Sequence, residues 1–177
     1  MGDAVPNMGM RAQAVVDKTA AELDELARAG VQVVGNAFSS VLLLKGAPGQ
    51  GECDGSPVLM GADGRALRSS LLALGYAPED WAGLAGWHED GTPLDVDELR
   101  LSVATLDPAT VVACDDAAGE MLCAAWEIPA AQPGWLLRVA GLRMLFLGAF
   151  EDALADAGLK QVMWARLKQI PPLGEPY

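Results

Sequence analysis

The chain has 177 residues, 51% hydrophobic and 20% charged, which is enough apolar material for one buried core and too much for a disordered chain. Its 12 lysines and arginines face 24 acids, a formal net charge of -12 that repels phosphate backbones and argues against a broad nucleic-acid footprint. The cysteines Cys53, Cys114 and Cys123 form no Cys-x-x-Cys pair and His88 is the one histidine, so neither a zinc site nor a four-cysteine iron–sulfur cluster is expected from this chain.

Residues 1–10 show neither the basic start nor the apolar run of a secretory signal, and they read as a flexible end before a single domain over 11–170. Across 11–29, Val16, Ala20, Leu23 and Ala27 recur at helical spacing, and Gly30 stops the run. Val41 to Leu44 is a short unbroken apolar run, the pattern of a strand buried on both faces of a parallel sheet. Residues 45–64 hold six glycines and two prolines and read as loop. A helix over 65–74 places Leu67, Ser70, Leu71 and Leu74 on one face and ends at Gly75. A short strand follows over 81–85, then a helix over 95–106 closed by Asp107-Pro108. Next come a buried strand over 111–114, a helix over 117–126 and a fourth strand over 144–147. The last long helix opens near Phe150 or a few residues later with a break expected at Gly158, 159–169 being its continuation or a separate helix, and Pro171-Pro172 stop it before a tail over 171–177. The longest apolar stretch, 135–150, is interrupted by Arg138 and Arg143, so no membrane span is expected and the predicted location is the cytoplasm.

Short apolar strands alternating with amphipathic helices predict an α/β protein. The expected form is a three-layer α/β/α sandwich with a mainly parallel sheet of about four strands. Ligands in such folds bind beyond the carboxyl ends of the strands, which makes the 45–64 loop the default site. Its glycines allow close backbone approach, and the helix behind it points a positive end at the same space. No Gly-Lys-Ser/Thr and no Gly-x-Gly-x-x-Gly turn is present, so it is neither a P-loop nor a dinucleotide turn.

The chemistry-bearing residues each admit two readings. Glu52 in the loop is a base, or a carboxylate that accepts backbone N–H bonds. Lys45 meets an anion, or lies on the surface at the strand's end, and the same alternatives hold for Arg65 and Arg68. His88 exchanges a proton near neutral pH, or is an exposed loop histidine, since no serine or cysteine stands at triad spacing. Trp81 and Trp87 stack on a ring, or pack in the core. Asp115-Asp116 hold a divalent cation, or Asp116 caps the following helix. The acids between 89 and 98 form a solvated face, or a surface for a basic protein partner. Leu159, Val162, Met163, Leu167 and Ile170 form a core stripe, or a homodimer surface.

The apolar run 41–44 is followed in order by Ala47-Pro48-Gly49, Glu52, Gly55, Pro57, Gly61 and Gly64, then Leu67, Leu71 and Leu72. This order and spacing resemble the uracil-DNA glycosylase superfamily, above all its bacterial and archaeal iron–sulfur branch. The resemblance continues through 75–80, through Leu106-Asp107-Pro108 into Val111-Val112-Ala113, and into 160–170. It implies the sandwich fold and a base cradle made of Lys45, Gly46, Ala47, Pro48, Gly49, Pro57, Val58, Leu59, Ala85 and Ala149.

The departures from the pattern concern the chemistry. The family's water-activating residue falls on Gly46, and another branch's acid on Ala47, neither of which handles a proton. The base-stacking aromatic falls on Val58 and Leu59, the base-reading asparagine on Ala85, and the His-Pro-Ser/Ala motif on Ala149-Phe150. The cluster cysteines are absent. A glycosylase must hold a flipped base and stabilise charge as the bond breaks. The expectation is therefore a degenerate relative of a DNA-repair family without conventional excision. It would bind a nucleotide, nucleic acid, small ligand or protein at the former pocket, with no cofactor and no metal. Two other readings remain open: an active glycosylase using Glu52 and His88, and a metal-dependent small-molecule enzyme using Asp115 and Asp116.

Overall fold

The structure, a computed structural model, describes residues 8–171. Of the ends expected to be loose, 1–7 and 172–177 lie outside the described residues, while residues 8–10 are corrected to the first turn of α1. In chain order the elements are α1 (Met8–Arg28), β1 (Val31–Gly35), β2 (Val41–Lys45), α2 (Gln50–Cys53), α3 (Ala62–Ala73), β3 (Ala82–His88) and α4 (Val96–Leu106). There follow β4 (Thr110–Ala113), α5 (Asp116–Ala125), β5 (Leu136–Val139), β6 (Leu142–Phe146), α6 (Phe150–Ala153) and α7 (Ala157–Leu167).

The strands form one 6-stranded mixed sheet in the order β1-β3-β2-β4-β6-β5. The inner strands β3, β2, β4 and β6 pair in parallel, and each edge strand pairs antiparallel with its neighbour. The expected count of about four strands is therefore corrected by the two edges. β1 is only partly buried and carries Gln32 and Asn36 in or beside it, so it lacks an apolar run. β5 and β6 form a hairpin whose turn, Ala140-Gly141, has positive φ at both residues, 51° and 84°. Alanine there gives none of the Asn-Gly signal that usually marks such a turn.

β2 explains the two-sided packing. Leu42, Leu43 and Leu44 are fully buried. Alternation sends Val41 and Leu43 into a core with Leu67 and Leu71 of α3, Phe150 of α6 and Leu167 of α7. Leu42 and Leu44 enter the opposite core with Leu26 of α1, Leu99 and Val103 of α4 and Leu122 of α5. Each such leucine contributes about 1.5–3 kcal/mol by leaving water. Among the described residues no helix is long and apolar enough to cross a membrane.

The segment read as loop is more ordered than its glycines suggest. α2 forms within it, and α3 begins at Ala62 rather than Arg65. Leu59 is fully buried at φ 58°, a conformation L-residues rarely adopt. Arg68 of α3 donates to its carbonyl at 2.8 Å and lays its guanidinium 4.7 Å from the centre of the Trp81 ring. Arg68 thus fastens the loop, and is neither an anion site nor a freely solvated side chain. Gly64 lets α3 touch that loop, because a Cβ there would stand 1.6 Å from the Leu59 carbonyl oxygen. Gly64→Ala is expected to cost about 3 kcal/mol in a urea titration. Gly51→Ala, whose Cβ would meet nothing within 4 Å, is the control and shifts stability by less than about 1 kcal/mol.

Candidate functional site

The parallel strands β2, β4 and β6 end side by side, and the chain segments that follow them form a cleft of about 350 Å³. Its walls come from Ala47, Pro48 and Gly49 after β2, from Cys114 to Ala117 after β4, and from Ala149 to Asp152 after β6. A second cleft, about 500 Å³, shares Asp115 and Asp116 with it and runs over α5 to Cys123 and Pro133.

Lys45 ends β2 at the floor of the first cleft. Alternation along the strand turns its side chain to the same side as Val41 and Leu43, into the layer that holds α2, α3 and α6. Its side chain is only 4% exposed. The ammonium donates to Asp63 Oδ2 at 2.7 Å, to Glu151 Oε2 at 2.9 Å and to both Glu52 oxygens at 3.0 Å. Burial by itself would lower the lysine pKa, but the hydrogen bonds to Asp63, Glu151 and Glu52 outweigh it and raise the pKa above the ordinary value. Lys45 therefore stays protonated and has no lone pair to act as base or nucleophile. Both sequence expectations for it are corrected: it is neither on the surface nor open to an external anion, because the chain supplies its anions.

Glu52 is committed in the same way. Oε2 also accepts the Gly49 N–H at 3.0 Å, and Oε1 the Leu59 N–H at 3.1 Å. It acts as a brace for the loop, with both oxygens bonded to Lys45 and to loop N–H groups.

Asp115 makes the second fastening. Oδ1 accepts the Ala118 N–H at 2.7 Å, capping α5, and the Gly46 N–H at 2.9 Å. Oδ2 accepts the Ala47 N–H at 3.1 Å. The expected cap, Asp116, is thus replaced by its neighbour, which also holds the exit of β2. Gly46 makes that approach feasible: a Cβ there would lie 2.1 Å from the Ala118 nitrogen.

The structure brings Lys45, Ala47, Pro48, Gly49 and Ala149 together in the cleft. Gly46 stands behind its wall through the Asp115 bonds. Ala85 pairs with Lys45 across β2 and β3 and is fully buried. Val58 and Leu59 are core residues, also fully buried, and Pro57 is exposed and does not line the cleft. His88 is not brought to Glu52. Trp87 faces the α3 and α7 side, so the next residue points the other way, where His88 Nε2 meets Glu98 Oε2 of α4 at 3.1 Å.

Asp63 and Glu151 are the site residues that sequence reasoning missed. One opens α3 between glycines and the other opens α6, so each looks like an ordinary first-turn acid. The cleft is acidic, with Asp63, Asp115, Asp116, Glu151 and Asp152 against the single ammonium of Lys45. Among the described residues no group of three His, Cys, Asp or Glu side chains is placed to hold a metal ion. Cys114 lies buried at the cleft floor; burial, with Asp115 and Asp63 nearby, pushes its thiol well above the ordinary value. No protein-family profile matches the chain, and no curated protein matches it.

Lys45→Met is expected to destabilise the fold by about 3–5 kcal/mol at neutral pH, since it leaves carboxylates buried without a counter-charge. Adding Asp63→Asn should restore part of the loss in the same denaturant titration. Because the lysine pKa is raised, its contribution is fully present below pH 10.5, the ordinary lysine value, and fades only as the pH climbs above that. A thiol reagent at pH 8 should modify exposed Cys53 in the native protein, while Cys114 reacts only on unfolding.

Proposed function

We propose that the chain is a uracil-DNA-glycosylase-like protein, a three-layer α/β/α sandwich that does not excise bases and takes a small ligand rather than DNA at the strand-end cleft. The observation that carries this reading is the ion cluster around Lys45, in which Glu52 and Asp63 are buried and Glu151 is half-exposed. Where base excision needs a free group to orient or deprotonate water, the floor of the cleft offers an ammonium and carboxylates already bound to one another. The two positions at which the resemblance would put an acid are Gly46 and Ala47, whose N–H groups are both spent on Asp115.

The rim supports the second half of the reading. A DNA-binding cleft gathers lysine and arginine along the phosphate path. This one has acids on both walls, with exposed Asp116 and Asp152 facing a space bounded by Pro48, Ala149 and Phe150. Such a space suits a compact neutral or cationic molecule.

The test is a single-turnover assay with the protein in large excess over single- and double-stranded uracil-containing oligonucleotides at about 50 mM salt. The expected outcome is no uracil release over hours and no retention of either oligonucleotide. Dose-dependent release would overturn the proposal. Gly46→Glu, which puts an acid where the resemblance implies an acid or amide, is expected to lower stability by about 3 kcal/mol and to leave the assay blank, because its side chain must start inside the backbone of α5.

A further inference from the structure

A third cleft, about 490 Å³, opens between α3 and α7 and is separated from the acidic one by Phe150, which lines both. Its walls are apolar: Ala66 on one side, Phe150 and Leu154 at one end, Met163 and Trp164 on the other side. The one hydroxyl in the lining, on Ser70, is spent on the Ala66 carbonyl at 2.9 Å. The one charged residue in the lining is Lys160.

Lys160 is exposed and makes no side-chain hydrogen bond or ion pair among the described residues. Asp156, one turn earlier, is within helical reach of it, yet its carboxylate accepts the Leu159 N–H at 2.8 Å as the cap of α7. A second ammonium, on Lys168, stands 5.9 Å from the centre of the Trp164 ring. A chain of net charge -12 thus places uncommitted positive charge beside an apolar cleft.

We propose that this cleft binds a small apolar carboxylic acid, with its hydrocarbon or aryl part between α3 and α7 and its carboxylate on Lys160. The volume lies in the range of small-molecule sites, and such sites combine apolar walls with a few polar groups that fix orientation. Charge complementarity selects the head group: a cation would face Lys160, and a neutral molecule would leave it unused. The inference concerns a different cleft from the one proposed above, and its test does not involve excision or the Lys45 cluster.

The experiment is calorimetric titration of the full chain with octanoate, with phenylbutyrate and with octanol. The first two separate an alkyl from an aryl occupant, and octanol removes the charge while keeping the tail. Saturable one-site binding of either acid is expected, with octanol about fivefold weaker, the size of one near-surface charge-assisted contact. Lys160→Gln should weaken the acid by about the same factor and leave the melting temperature unchanged. Ala66→Phe, which fills the cleft, should abolish binding. Absence of saturable binding for both acids overturns the proposal. So does binding that Lys160→Gln leaves unaltered, which would make the cleft a general apolar site, and so does binding that survives Ala66→Phe in a protein still folded by circular dichroism.

Discussion

Burying an ammonium costs several kcal/mol unless other groups take the place of its water. Lys45 meets that condition by drawing Glu52, Asp63 and Glu151 onto one nitrogen. The three acids come from α2, from the start of α3 and from α6, the last standing 106 residues from the lysine. One ion therefore joins the end of the central strand to three separate elements. Glu52 carries the effect further, since the same carboxylate holds the N–H groups of Gly49 and Leu59. A glycine-rich segment has much backbone freedom to lose. Here the ion cluster, α2 and the buried Leu59 side chain together offset that loss.

The cleft takes its shape from this constraint and from a second one on its opposite wall. Asp115 caps α5 and holds the exit of β2 with one carboxylate. The two backbones approach so closely that Gly46 has no room for a Cβ. At the exit of β2 the backbone at Gly46 is a packing contact with α5, and the Lys45 ammonium beside it is paired with three acids. These bonds preorganise the cleft wall.

The two faces of Phe150 divide unlike environments. On one side lie the acids at the strand ends, and on the other the apolar space between α3 and α7 with Lys160 among its lining residues. The short helix α6 separates them and also supplies Glu151 to Lys45. A shift of α6 would therefore disturb the ion cluster and both clefts together.

Much of the scaffold was legible in the chain itself. The unbroken run 41–44, the 3.6-residue spacing in the helices and the stops at Gly75 and Asp107-Pro108 specify parallel α/β packing locally, because burial and backbone preference act over a few residues. The edge strands were not legible, since β1 lacks an apolar run and the β5–β6 turn uses alanine where asparagine would have marked it. The site was half legible. Lys45 and Ala47 to Gly49 follow from the rule that ligands meet strand ends, and Ala149 also lines the cleft. That Lys45 is buried, that Asp63 and Glu151 are its partners and that Asp115 rather than Asp116 is the cap were decided by tertiary structure alone. The physical reason is that a charge's partners are set by distance in space, and the acids that neutralise Lys45 lie 7, 18 and 106 residues along the chain from it.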